Sequence, residues 1–197
     1  MTDLRSAPVP PPRPDDHIRG PEDGPVLIMY ADFACPRCAL AHERLRDQPV
    51  RLVFRHLALK AKHARAVPLA CAAEAAAAQG AFWPMYDALF GDPGHLDDPH
   101  LWARCERLGL DVERFEADRR SPAVAERVSR DVRDALRAGA TATPTLFHEG
   151  VLHAGPPDAE LIARLGLPAT MVRFGFREEA NAPADRRAGR KGNTYEQ

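Results

Sequence analysis

Two apolar segments with a short helix between them restrict the folds open to this chain more than any other part of its sequence. The run Pro25–Asp32 (PVLIMYAD) is almost continuously apolar, which is typical of a strand buried on both faces. Pro49–His56 (PVRLVFRH) carries apolar residues at alternate positions and predicts a second strand. Cys35–Arg46 lies between them and has the apolar spacing of a helix. The three segments together predict a right-handed βαβ unit with two parallel strands.

The rest of the folded region is predicted to be a block of helices, then a hairpin and a last helix. Glu149-Gly150 stands between two short strand-like segments, Thr145–His148 and Val151–His153, and is a hairpin signal. Alanine-rich or amphipathic patterns predict the helices Ala64–Gly80, Phe82–Phe90, Pro99–Leu108, Val112–Arg119, Ala123–Ala138 and Asp158–Leu165. The resulting fold class is α/β, in the order β-α-β, helices, β-β-α, with a helical insertion at about residues 64–138.

The composition limits the class of protein. The 197 residues are 45% hydrophobic and 28% charged, which is enough for one domain with a substantial core. The formal net charge of -1 gives no field that would attract nucleic acid or an anionic membrane. No apolar run approaches the roughly 20 residues that span a bilayer. Four cysteines are too few for a small fold held together by disulfides.

The two ends of the chain differ from its middle. Proline is dense in Pro8–Pro14 with almost no apolar neighbours, which predicts a disordered leader over residues 1–21. Residues 169–197 are expected to be a flexible tail, so the domain is expected over residues 22–168. Residues 1–20 lack the apolar segment of a secretory signal, and we therefore expect a cytoplasmic location. In that reducing compartment, closely spaced cysteines are more often catalytic or metal-binding than structural.

The motif Cys35-Pro36-Arg37-Cys38 follows the first strand and opens the first helix. With Cys35 as the N-cap, the free N–H groups of the first turn and the helix dipole favour its thiolate. Pro36 suits the first helical position because it has no N–H to leave unpaired, and Arg37 adds a cation. Cys35 is therefore predicted to be the exposed, attacking sulfur, and Cys38, about one turn inward, the shielded resolving sulfur.

A lower pKa of Cys35 would change the redox chemistry of the cysteine pair by an amount set by the size of the shift. Lowering the pKa of Cys35 from ~8.5 to ~5 would stabilise the dithiol form by about 2.7 kcal/mol at neutral pH. The corresponding disulfide would be about 60 mV more oxidising.

Two other interpretations of the cysteines stay open on sequence alone. Cys35, Cys38 and His42 have the spacing C-x2-C-x3-H and would hold zinc if a fourth ligand were supplied. A packed pair of thiols without chemistry is the other alternative. Cys71 and Cys105 stand singly in amphipathic segments and are interpreted as small core residues.

A second motif, Thr143-Pro144-Thr145, directly precedes the first strand of the hairpin. Proline is tolerated at the first residue of a strand, although it would break the ladder inside one. An X-Pro bond is usually trans, but a cis bond here would make a tight bend and present the backbone of Thr143 to a neighbouring surface.

The chain resembles the DsbA-like branch of the thioredoxin superfamily. Three features carry the resemblance, in this order: Phe33-Ala34-Cys35-Pro36-Arg37-Cys38, a helical insertion and Thr143-Pro144-Thr145. The resemblance covers about residues 22–168 and implies a thioredoxin fold with an inserted helical domain. It implies that Cys35 is the nucleophile and Cys38 the resolving thiol. It also implies that Thr143-Pro144 is a cis-proline loop packed against the cysteines, where the backbone of a bound peptide pairs.

The sequence also departs from this branch. The dipeptide between the cysteines is Pro-Arg, so the redox poise of relatives does not transfer. Thioredoxin-like proteins often carry a buried acid six residues before the first cysteine, where this chain has Met29. Asp32 and Glu43 are the two alternative acids.

These observations predict a thiol–disulfide oxidoreductase that works through Cys35 and Cys38 without a metal or an organic cofactor. Its expected partners are a protein or small thiol or disulfide and a redox recycling partner. No nucleic-acid partner and no membrane span are expected. The alternative function is a thioredoxin-like binding module, or a zinc-holding domain, that uses the same surface without turnover.

Overall fold

The computed structural model describes residues 7–166, which form one five-stranded sheet and seven helices. The predicted tail at residues 169–197 lies outside the described residues. The sheet order is β1-β3-β2-β4-β5. The strands are β1 (His17–Arg19), β2 (Val26–Ala31), β3 (Arg51–His56), β4 (Thr145–His148) and β5 (Val151–Ala154). The helices are α1 (Pro36–Leu45), α2 (Ala66–Ala77), α3 (Phe82–Gly91), α4 (Asp98–Arg107), α5 (Val112–Asp118), α6 (Pro122–Arg137) and α7 (Ala159–Arg164).

The predicted βαβ unit and hairpin are both present. β2 and β3 are parallel, with Leu27 opposite Leu52, and α1 joins them. β4 and β5 form an antiparallel hairpin, and β4 also pairs antiparallel with β2. Glu149 and Gly150 at its turn have positive φ angles of 49° and 78°, a conformation that glycine adopts without steric cost.

The sheet is covered on both faces, which explains the continuous apolar run of β2. Leu27 and Met29 of β2 face a core shared with α1, α2 and α3. Ile28 and Tyr30 face the opposite way, toward a second core that α6 covers. Alternate side chains of a strand point to opposite faces, so a strand with helices on both sides is apolar at every position.

The predicted helical insertion is confirmed as five helices, α2 to α6, between β3 and β4. Seven of the twelve residues of α2 are alanine, and its small side chains let neighbouring helices approach closely. Between residues 7 and 166 no helix combines the length and apolar character needed to cross a bilayer.

The prediction of a disordered leader is wrong for residues 7–21. Residues 7–19, hereafter the N-terminal strap, cross the α6 side of the sheet and end in β1, which pairs antiparallel with β3. The fully buried Arg55 of β3 donates to both carboxylate oxygens of Asp16, at 2.6 and 3.0 Å, and to the carbonyls of Pro10 and Pro11. Extended prolines leave their carbonyls free to accept these bonds, so ion pairs and backbone acceptors hold the strap together with the packing of Val9 and Ile18.

The strap is also tied to α6. Arg13 donates to Asp131 and to Asp134, each at 2.8 Å, and Arg127 bonds Asp15. These residues are more than a hundred positions apart in the sequence, which is why a local reading of residues 7–19 cannot find the contacts.

Asp16→Ala is expected to destabilise the protein by about 3–5 kcal/mol, because it leaves the buried Arg55 guanidinium without its carboxylate. Urea unfolding of both proteins measures the difference. Asp23→Ala, at an exposed position just before β2, is the control and should change stability by less than about 0.5 kcal/mol. A loss below about 1 kcal/mol for Asp16→Ala would show that the strap contributes little to stability.

Candidate active site

The two cysteines of the motif lie where β2 passes into α1. Cys35 is the N-cap, with the extended backbone angles φ -95° and ψ 118°, and Pro36 is the first helical residue. The carbonyl of Cys35 accepts the N–H of Cys38 at 2.9 Å, which closes the first turn. Cys38 therefore lies one turn into the helix, on its inner side.

The structure corrects the prediction of an exposed Cys35. Only 6% of Cys35 is exposed, and Cys38 is fully buried, whereas Pro36 and Arg37 between them are exposed. The loop that carries Thr143 lies over the Cys35 sulfur, because its carbonyl oxygen is 3.6 Å from Sγ. Cys35 is thus the sulfur of the pair that reaches the surface, through a small opening.

The Thr143–Pro144 loop is fixed beside Cys35 by its own hydrogen bonds. Its peptide bond is cis. The carbonyl of Pro144 accepts the N–H of Gly155 at 2.8 Å, and the Thr145 hydroxyl donates to the carbonyl of Ala142 at 2.6 Å. Thr143 is 7% exposed. The loop is therefore joined to both strands of the hairpin and borders the cysteine pair.

The surroundings of the two sulfurs separate their pKa values. A hydrogen bond from the Cys38 thiol lowers the pKa of Cys35 to about 5, against the opposing effect of burial. The Thr143 side chain and the backbone N–H groups of Cys38 and Arg37 contribute to the same shift. Burial, together with the hydrogen bond to Cys35 and the negative charges of Cys35 and Asp32, raises the pKa of Cys38 far above its ordinary value. Near neutral pH the pair therefore holds one proton, on Cys38.

Of the two alternative acids, the structure places Asp32 beside the cysteines. Asp32 is 2% exposed, and its backbone N–H points at the Cys38 sulfur, 3.5 Å away. Its carboxylate accepts the N–H of Ala34 at 2.8 Å and bonds Nδ1 of His63 at 2.6 Å. Glu43 lies on the exposed face of α1, where it pairs with Arg46. Sequence reasoning missed His63, and the signal available was its place in the loop that follows β3.

Arg37 lies over the end of the hairpin. Gly155 has a φ of +110°, and a methyl group at that position would collide with the Arg37 guanidinium. A groove of about 480 Å³ opens next to it on the outer side of α1. The groove is lined by Pro36, Arg37, Leu40, Arg44 and Pro156.

The zinc interpretation is wrong for the residues that the structure describes. The His42 ring is buried against Tyr86 and Phe90, with Nδ1 3.8 Å from a carboxylate oxygen of Asp87. Within residues 7–166 no three His, Cys, Asp or Glu side chains are grouped so that they could hold a metal ion. Helical spacing places His42 one turn beyond Cys38, but its ring packs against the aromatic side chains of α3.

The other two cysteines are separate from this site. Cys71 and Cys105 are free and buried, and they belong to different apolar clusters. Burial raises the pKa of both, that of Cys105 to about 11. Their interpretation as core residues is consistent with this packing.

The family model of the DSBA-like thioredoxin domain matches residues 26–165 of this chain. Among solved structures, Pseudomonas aeruginosa DsbA2 is 27% identical with a TM-score of 0.62, over 79% of this chain and 94% of that one. A thioredoxin-like oxidoreductase from Silicibacter pomeroyi has a TM-score of 0.69 at 24% identity, over 78% and 91% of the two chains, a likeness that concerns the fold alone.

Curated relatives carry a different name. A Na(+)/H(+) antiporter NhaA from Herminiimonas arsenicoxydans is 46% identical over 154 residues, which are 75% of this chain and 24% of that protein. An NhaA from Salinispora tropica is 43% identical over 157 residues, with the same coverage. The chain thus spans about a quarter of the length of these relatives.

Alkylation of Cys35 by iodoacetamide is expected to have its pH midpoint near 5, since only the thiolate reacts. Mass spectrometry of the labelling rate at a series of pH values measures this midpoint. Cys38→Ala should move the midpoint upward, because it removes the thiol that stabilises the Cys35 thiolate most. Cys71 and Cys105 are internal controls and should stay unlabelled in the folded protein. A midpoint above about pH 8 would contradict this assignment.

Proposed function

This chain belongs to the family of DSBA-like thioredoxin domains, and from that premise we propose that it exchanges thiols and disulfides through Cys35 and Cys38. The observation that carries the proposal is the difference between the two sulfurs. One reaches the surface and ionises at a pKa of about 5, and the other is fully buried and keeps its proton. An attacking and a resolving thiol need these opposite properties.

The first step forms a mixed disulfide with the partner. The Cys35 thiolate attacks one sulfur of a partner disulfide, so that a bond between Cys35 and that sulfur forms and the partner's S–S bond breaks. The second partner sulfur leaves as a thiolate and takes a proton from solvent. The partner is reduced by two electrons only when the second step has followed.

In the second step the Cys38 thiol loses its proton, and the resulting thiolate attacks Cys35. The Cys35–Cys38 disulfide forms, the bond between Cys35 and the partner breaks, and the partner leaves as a thiolate. The same two steps in reverse order transfer the Cys35–Cys38 disulfide to a partner dithiol. A stabilised Cys35 thiolate favours that reverse direction by about 60 mV relative to an ordinary cysteine pair.

We propose that the partner binds across the opening at Cys35. The Thr143–Pro144 loop borders one side of the sulfur, and an extended partner peptide would pair with its backbone there. The groove beside Pro36 and Leu40 offers apolar surface, with the cations of Arg37 and Arg44 at its rim. A protein thiol or disulfide fits this surface, and a second redox partner is needed to restore the starting state.

The antiport that the curated relatives' names print is not part of the function proposed for this chain. Those antiporters are about four times as long as the segment that matches this chain. The DSBA-like family model covers residues 26–165, which include the cysteine motif, and thiol–disulfide exchange is the chemistry proposed for them.

Cys35→Ser is expected to abolish the reduction of insulin disulfides by dithiothreitol that the wild-type protein catalyses, because serine cannot form the mixed disulfide. Cys38→Ser should instead accumulate a covalent complex with the partner, visible on non-reducing gels and released by reductant. Cys71→Ser is the control, since its side chain is buried away from the site, and should keep the wild-type rate. Full activity of Cys35→Ser would end the proposal.

A further inference from the structure

The buried Cys38 must lose a proton each time it resolves a mixed disulfide, and Cys38 itself has no contact with water. Its side chain is fully buried, and its pKa is held far above the ordinary thiol value by that burial. The proposed function thus needs a group that receives this proton and passes it to solvent.

We propose that the Asp32–His63 pair is this proton acceptor: Asp32 receives the proton of Cys38, and His63 positions Asp32 and passes the proton outward. This inference rests on the proposed function, because it assigns a role within the same exchange reaction. It adds a histidine that lies outside the cysteine motif and the Thr143–Pro144 loop.

The topology brings the two residues together. Asp32 directly follows β2, and His63 lies in the loop that follows β3. These strands are parallel neighbours, so their carboxyl ends meet at one edge of the sheet, where the cysteine motif also begins. The loop holds His63 firmly, because its N–H donates to the carbonyl of Leu59 at 3.1 Å and its own carbonyl accepts the N–H of Ala66 at 3.0 Å.

Asp32 and His63 lie between the buried sulfur and solvent. Asp32 contacts the Cys38 sulfur through its backbone N–H, at 3.5 Å, and its carboxylate is near enough for its charge to act on that thiol. The Asp32 side chain is 1% exposed, whereas that of His63, 2.6 Å further on, is 30% exposed. A buried carboxylate is costly unless it is paired, and an imidazole can hold and release a proton near neutral pH.

Other titratable groups near the cysteines are engaged elsewhere. Glu74 bonds the rings of both His17 and His56, at 2.8 and 2.7 Å. The His42 ring is packed against Tyr86 and Phe90, as described above. Burial raises the pKa of Tyr86, so its hydroxyl keeps its own proton near neutral pH and cannot accept one from Cys38. Asp32 is the carboxylate whose charge acts on the Cys38 thiol within residues 7–166.

In the assigned step the proton of the Cys38 thiol moves to the Asp32–His63 pair as the Cys38 thiolate attacks Cys35. The Cys35–Cys38 bond forms and the bond from Cys35 to the partner sulfur breaks. The proton leaves from His63 to water or to the departing thiolate, so charge and atoms balance without any further reactant.

The test separates the two chemical steps with glutathione disulfide as the partner. Reduced protein is mixed with it at pH of about 7, quenched with acid and analysed by mass spectrometry. The second-order rate of mixed-disulfide formation reports attack by Cys35, and the first-order rate of its loss reports resolution by Cys38. His63→Ala should slow resolution at least about tenfold and leave formation within about twofold of wild type.

Rescue distinguishes proton transfer from a structural effect. Free imidazole should restore resolution in His63→Ala, because the His63 side chain is partly exposed, and should not do so in Asp32→Asn. His100→Gln is the matched control: its Nδ1 also lies 2.7 Å from an aspartate oxygen, of Asp97, but on the surface of α4. It should leave both rates unchanged.

Several results would overturn the assignment. These are an unchanged resolution rate in His63→Ala, an equal fall in both rates without rescue, or slow resolution in His42→Gln but not in His63→Ala. Because Asp32 is buried, the rates of Asp32→Asn count only if its unfolding midpoint is close to that of wild type. If the midpoint differs, the rates of His63→Ala alone decide the test. Failure of the wild-type protein to form a mixed disulfide would instead refute the proposed function itself.

Discussion

The influence of the Cys38 thiol on the pKa of Cys35 underlies the chemistry proposed for this molecule. It is the largest single cause of the low pKa of Cys35, and it also keeps the proton on Cys38. Two chemically identical side chains thereby acquire opposite roles within one helical turn. Cys38 is fully buried and Cys35 is the N-cap of α1, so this influence depends on where α1 begins and on what covers its inner side.

The fold supplies both conditions at one edge of the sheet. The carboxyl ends of β2 and β3 bring the start of α1, Asp32 and the His63 loop together, and β4 begins there with Pro144 next to it. The apolar core on the α1 face of the sheet excludes water from Cys38, while the Thr143–Pro144 loop leaves Cys35 a narrow opening. The N-terminal strap adds stability on the α6 face of the sheet, through the buried Arg55–Asp16 pair.

Features that depend on neighbouring residues were predictable from the sequence. The run Pro25–Asp32, the cysteine motif and the turn Glu149-Gly150 each carry their own local signal, and the βαβ unit, the N-cap at Cys35 and the hairpin followed from them. The choice between Asp32 and Glu43 was not predictable, because both lie near the motif and only tertiary packing buries one of them.

Features that depend on distant residues were missed. Residues 7–19 contain few apolar side chains, and the carboxylates and carbonyls that order them act on Arg55 of β3 and on residues of α6. The parallel pairing of β2 with β3 brings His63 next to Asp32, and this contact gives His63 its proposed role. His42 has the spacing of a metal ligand, yet the aromatic side chains of α3 hold its ring. In each case a local pattern was overridden by a contact from another element.

The dependence of the Cys35–Cys38 reduction potential on pH tests the central claim most directly. Below the pKa of Cys35, reduction of the disulfide takes up two protons, and the potential should fall by about 59 mV per pH unit. Above that pKa, reduction takes up one proton, and the potential should fall by about 30 mV per pH unit. The change in slope is expected at about pH 5, where Cys35 ionises. A slope that stays near 59 mV up to about pH 8 would mean that both sulfurs behave as ordinary thiols, and the division of roles between them would be wrong.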